Sequence, residues 1–114
     1  MTPDEREEFL LVAKACGLQI GTEVGEYTFS HQYGCLQRRN ANGTSTNWNP
    51  KTDDGDAFRL AVKLNMLLDF KRLHHRKVST TRTADIAVLN GTDWLQDARL
   101  AIWRAAVAYA RSMK

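Results

Sequence analysis

The sequence predicts an α+β protein, about three helices covering a small antiparallel or mixed sheet. Three observations carry that prediction. Apolar residues recur with helical spacing near the N-terminus, near residue 58 and along the last twenty residues. Between these segments lie short β-prone runs punctuated by glycine. The order is helix, strands, helix, strands, helix, which favours helices packed on a sheet and hints at two similar halves. With 114 residues, 43% of them hydrophobic and 25% charged, the chain reads as one globular domain, residues 1–114.

The first helix is expected at about 3–16. Thr2-Pro3-Asp4-Glu5 has the form of a capping box, with Pro at the first helical position. Acidic residues in the first turn suit the positive end of the helix dipole. Phe9, Val12, Ala13 and Cys16 form one apolar stripe, and Gly17 is a ready stop. This acidic start does not resemble a signal peptide.

Residues 18–40 read as strands: Leu18 and Ile20, then Val24–Phe29, then Tyr33–Leu36, with Gly21, Gly25 and Gly34 at turns or bulges. "NANGTSTN", residues 40–47, reads as a polar loop around an Asn-Gly turn. A second helix begins near Asp53, with Thr52 or Asp53 as its cap. Its apolar residues run nearly all round, and Asp56, Arg59 and Lys63 form a narrow polar stripe, so it is expected to be well buried. Met66–Phe70 and Ala84–Leu89 are strand candidates on either side of a charged segment.

The last helix is expected at about 92–113, after an Asn90-Gly91 turn and a Thr92 or Asp93 cap. Leu95, Ala98, Ile102, Ala105, Ala106, Tyr109 and Met113 share its expected core face. A second stripe, Leu100, Trp103, Val107 and Ala110, lies roughly opposite and is flanked by Arg99, Arg104 and Arg111. One sheet cannot bury both stripes, so the second needs another partner.

Trp48-Asn49-Pro50, the run from Thr52 to Ala57 and Arg59-Leu60-Ala61-Val62 followed by Leu64 resemble the signature of the phage ABA sandwich family. The Arg- and Ala-rich stretch from Ala98 to Ala106 and the apolar first helix ending at Gly17 fit it too. The resemblance implies a layered α-β-α sandwich and a phage or prophage origin. It carries no biochemical activity with it. This chain departs from the family's pattern in the basic "FKRLHHRKVSTTRT" and in Trp94 and Trp103.

Four features could carry chemistry. Asp53, Asp54 and Asp56 around Gly55 have the ligand type of a divalent-cation site, but neither the alternating spacing nor the distant Glu of an EF-hand. The favoured reading is a helix start, with an Asp56–Arg59 pair and Trp48-Asn49-Pro50 as the turn that feeds it, the Trp ring lying over the core. Lys71, Arg72, His74, His75, Arg76 and Lys77 form a basic run, to which Arg38, Arg39, Lys51 and Arg82 could add. The favoured reading of such a run is a solvated surface that protects a sheet edge; the functional alternative is that it attracts phosphates. Nucleic acid is the less favoured ligand, because no aromatic residue is interleaved for stacking. His74 and His75 are neighbours on a strand and point to opposite faces, so no metal or other cofactor is expected. Cys16 and Cys35 read as free buried thiols. The fourth feature is the stripe of Arg99, Leu100, Trp103 and Val107, expected to close a homodimer, with packing against a helix layer of the same chain and contact with a host or phage protein as the alternatives.

The chain has no P-loop, G-x-S-x-G, C-x-x-C or H-E-x-x-H motif. The expected function is therefore non-catalytic: a phage accessory protein in the bacterial host's cytoplasm that binds a host molecule, in one version an anionic nucleotide signal of antiviral defence. A protein-binding module and a small nucleotide-processing enzyme are the alternatives. No apolar run is long enough to cross a membrane.

Overall fold

The structure is a computed structural model and describes residues 3–69, 77–80, 83–87 and 93–113. Among them are three helices and two three-stranded antiparallel sheets, the mixed α+β class read from the sequence. The expected single sheet is realised as two. By its internal contacts the chain divides into two units, Met1–Asn49 and Pro50–Lys114.

The first unit holds α1 (Pro3–Ala15) and the strands β1 (Tyr27–Ser30), β2 (Cys35–Arg39) and β3 (Ser45–Trp48), paired in the order β1-β2-β3. The Thr2 half of the capping box lies outside the described residues. All four residues of the predicted stripe, Phe9, Val12, Ala13 and Cys16, are buried. Ladder register aligns Phe29, Leu36 and Trp48 across the three strands. Phe9 meets both ends of that row, Phe29 at 5.7 Å and Trp48 edge-on at 6.2 Å between ring centroids. Trp48 thus covers the core as the sequence suggested. A side chain of this size contributes roughly 1.5–3 kcal/mol by burial.

Because side chains alternate along a strand, the neighbouring row, Thr28, Gln37 and Asn47, points to the other face, which is polar. The expected strands shift. Leu18 and Ile20 form no strand, only an isolated bridge from Ile20 to Tyr27, and Val24 is exposed in a turn. Residues 45–47, read as loop, belong to β3. Their polarity hid a strand on a half-wet sheet: Gln37 Nε2 donates to Asn47 Oδ1 at 2.8 Å, and Asn40 Nδ2 to Thr46 Oγ1 at 2.9 Å. The Asn42-Gly43 turn is where it was expected. Gly43 has φ 87, a left-handed conformation that suits glycine, and Asn40 N–H closes the hairpin on Thr44 O at 2.8 Å.

The second unit holds α2 (Asp54–Lys63), β4 (Leu67–Asp69), β5 (Lys77–Thr80), β6 (Thr83–Ala87) and α3 (Trp94–Ser112), with strand order β4-β5-β6. Strand β5 starts inside the segment read only as charged. The Asn90-Gly91 turn and the ends of two predicted strands, Phe70 and Val88-Leu89, lie outside the described residues. Asp93 caps α3, its side chain accepting from Gln96 N–H.

Two expectations about these helices are corrected. The buried face of α2 is Asp56, Ala57, Leu60, Ala61 and Leu64, while Phe58 is 63% and Val62 59% exposed. Ala57, Leu60, Ala61 and Leu64 are themselves spaced i, i+3, i+4, i+7. Two alanines on that stripe let α2 lie close to α3, which it contacts. On α3, Leu95 and Met113 of the expected core face are exposed, whereas Trp103 (4%), Val107 and Ala110 of the other stripe are buried. The second stripe finds the further partner it needs inside the unit, because α3 packs on β5 and β6 and also on α2. It therefore has two apolar neighbours within its own unit.

Candidate functional site

In the acidic turn each carboxylate is engaged separately. Asp53 is the N-cap of α2, its Oδ2 accepting the Asp56 N–H at 2.7 Å. Asp56, 7% exposed, accepts from Arg59 Nη2 at 2.7 Å, and the same guanidinium lies 3.9 Å from Asp53. Asp54 accepts from Arg99 Nη1. The three groups serve a cap and ion pairs to two arginines, Arg59 and Arg99, and among the described residues no three His, Cys, Asp or Glu are grouped to hold a metal. Pro50, four residues before α2, is fully buried.

Arg99 is the residue whose role changes most. Predicted as part of an interface, it is largely buried and ties α3 to the start of α2. Its Nε donates to Lys51 O at 3.2 Å, its Nη2 to Gln96 Oε1 at 2.8 Å and its Nη1 to Asp54. Leu100 is half-buried, and Trp103 and Val107 are buried. The exposed stripe that motivated a dimer through this helix is therefore absent from the surface of this chain. Phe58 and Val62, one turn apart on α2, are exposed instead. The alanine spacing of α2 is the signal that could have found them.

Of the basic run, Lys71, Arg72, His74, His75 and Arg76 lie outside the described residues, as does Arg82. Lys77 opens β5, half-buried, and faces Asp69 across the β4–β5 ladder. Asp69 and Lys77, on either side of the undescribed part of the run, are thus paired in one ladder. Arg38 belongs to the first unit and is committed there: its guanidinium stands 5.6 Å from the Tyr27 ring centroid, and its Nε donates to Asn40 Oδ1 at 3.1 Å. Cys16 and Cys35 are free, buried thiols, and Cys16 Sγ donates to Ala13 O. No described helix is long and apolar enough to cross a membrane.

No family model, no curated protein and no solved structure matches this chain.

Proposed function

We propose that the protein is a non-catalytic binder of a phosphorylated small molecule of the nucleotide class, held at the β4–β5 end of the second unit. The observation that carries this reading is the Asp69–Lys77 pair, which brings together the two described residues on either side of the basic stretch 70–76. Lys71, Arg72, Arg76 and Lys77 fall within seven residues of sequence, and clustered cations attract phosphates. From Ala57 to Ala84 the sequence has seven Lys or Arg and a single carboxylate, Asp69. The acids that could have run a reaction in the acidic turn are occupied by a cap and ion pairs. The resemblance to phage proteins would make the ligand a host molecule and the protein an accessory that sequesters it; that setting rests on the resemblance alone.

Native mass spectrometry tests this, on protein incubated with bacterial lysate and then with ATP as a defined probe. The expected result is a retained, chemically unchanged phosphorylated ligand that is lost in a Lys71→Ala, Arg72→Ala, Arg76→Ala triple variant. Conversion of the probe with turnover above one per chain would instead establish an enzyme. Retention by the triple variant, or an empty protein in every lysate and with ATP, overturns the reading.

A second reading, a protein-binding module, is favoured by Phe58 and Val62, because paired exposed apolar residues on one helix face mark contact surfaces. Lys63, exposed beside them, suits a partner segment with carboxylates around an apolar ridge. Under this reading Phe58→Glu abolishes partner capture while the triple basic variant leaves it intact.

A further inference from the structure

The wet face of the first sheet carries a cleft of about 160 Å³ lined by Gly21, Glu23, Glu26, Thr28, Gln37 and Arg39, among others. It follows from the register already described. Leu36 points toward Phe9, so Gln37 and Arg39 cannot both follow it; they stand on the opposite side of β2 with Thr28 and Ser45. The chain before β1 then folds back as one wall. Backbone bonds hold that wall in place: Gly21 N–H to Tyr27 O at 3.0 Å, Gly25 N–H to Arg39 O at 2.8 Å and Glu26 N–H to Glu23 O at 3.0 Å. Gly25 has φ 88, which this return needs.

Charges of both signs line the cleft without neutralising each other. Arg39 is exposed and forms no ion pair among the described residues. Glu26 is half-buried; its Oε1 accepts from Glu23 N–H at 3.0 Å, and it has no cationic partner among the described residues. A methyl group at position 21 would overlap the Glu26 carboxylate, so Gly21 is what lets that side chain fold into the wall. Gln37 is oriented by its bond to Asn47, and the hydroxyls of Thr28 and Ser45 complete a polar lining. The volume falls well below the roughly 300–1,000 Å³ of pockets that take drug-sized ligands. A nucleotide does not fit; a molecule of a few heavy atoms does.

We propose that this cleft binds a small zwitterion of the α-amino-acid type, its carboxylate on Arg39 and its ammonium on Glu26. A guanidinium is suited to a carboxylate because its planar fork matches the two oxygens. A fixed carboxylate is suited to an ammonium. An anion alone would meet the repulsion of Glu23 and Glu26, and a cation alone that of Arg39. The site is independent of the proposed nucleotide site, since it lies wholly within the first unit.

The test is a backbone-amide NMR titration of the whole protein with L-alanine, L-serine and L-leucine, each to ~10 mM, within the range of weak specific binding. Acetate and methylammonium are titrated separately as the two halves. The expected result is saturable shifts at Thr28, Gln37 and Arg39 with at least one amino acid, and binding of either half at least about tenfold weaker, since each half makes only one of the two charge-assisted contacts. Arg39→Gln and Glu26→Gln should each weaken amino-acid binding by about tenfold or more. Gly21→Ala should do so as well by displacing the Glu26 carboxylate, with the rest of the spectrum unchanged. Absence of shifts with all three amino acids, or equal shifts with the half-ligands or in either charge variant, overturns the proposal.

Discussion

Residues 1–49 carry four Lys or Arg and six Asp or Glu, whereas residues 50–114 carry twelve and seven. The net charge of +3 is thus the difference between an acidic first unit, −2, and a basic second one, +5. The packing differs in the same division. In the first unit one helix rests against a three-stranded meander and leaves the other sheet face polar. In the second, α3 has a sheet and a helix against it, so apolar residues on most of its circumference find cover. A whole-chain charge hides where an anion would be drawn. A helical stripe taken without its neighbours likewise does not tell whether it is surface or core.

The largest expected effects test that contrast in packing. Phe9→Ala in the first unit and Trp103→Ala in the second should each cost about 3–5 kcal/mol, the usual range for deleting a buried aromatic side chain. Urea denaturation of the purified variants measures both. A Trp103→Ala protein as stable as the parent would restore the exposed stripe, and with it the case for a dimer through α3.

Next comes Arg99→Ala. It leaves the Lys51 carbonyl, Asp54 and Gln96 without their donor, and unmaking bonds at a largely buried group costs roughly 1–3 kcal/mol. Arg104→Ala, on the same helix but exposed, should change stability by less than about 0.5 kcal/mol. Equal melting shifts for the two would mean that the link from α3 to the start of α2 contributes nothing.

Legibility in the sequence followed the same physical line. Features set by local chemistry were readable: α1 and its stripe, the Asn42-Gly43 turn, a cap at Thr52 or Asp53 and the Asp56–Arg59 pair each depend on residues close in sequence. Features set by distant neighbours were not. Ser45–Trp48 is a strand because Gln37 and Asn40 supply partners that a polar run does not announce. The inward turn of Asp56 and the outward turn of Phe58 were fixed by where α3 lies. The cleft around Arg39 needed the register of β2 against β1 and β3, which a one-residue slip would have inverted.

A smaller effect sharpens the reading of the acidic turn. Asp53→Ala removes the acceptor for the Asp56 N–H and should cost about 1 kcal/mol, the typical value of a lost cap. Thermal melts with and without ~5 mM Ca²⁺ or Mg²⁺, above the weakest extracellular calcium affinities, complete the test. Loss of stability with no response to the ions in the parent is the signature of a cap. A parent protein stabilised by the ions, with the response lost in Asp53→Ala, would make the turn a metal site.

The smallest expected effect is the most informative about α2. Phe58 is mostly exposed, so Phe58→Ala gives up little burial, and alanine regains several tenths of a kcal/mol in helix propensity. The two terms nearly cancel, and the net change should lie within about 0.5 kcal/mol. The measurement is a urea midpoint taken at two protein concentrations a hundredfold apart. A near-zero, concentration-independent change means that the ring faces water in the isolated protein and that any cost of the substitution falls on binding a partner. A loss of ~2 kcal/mol or more, greater at the higher concentration, would mean that a second copy covers Phe58 in solution. The interface sought on α3 would then lie on the helix beside it, for the reason that alanines at 57 and 61 turned Phe58 outward.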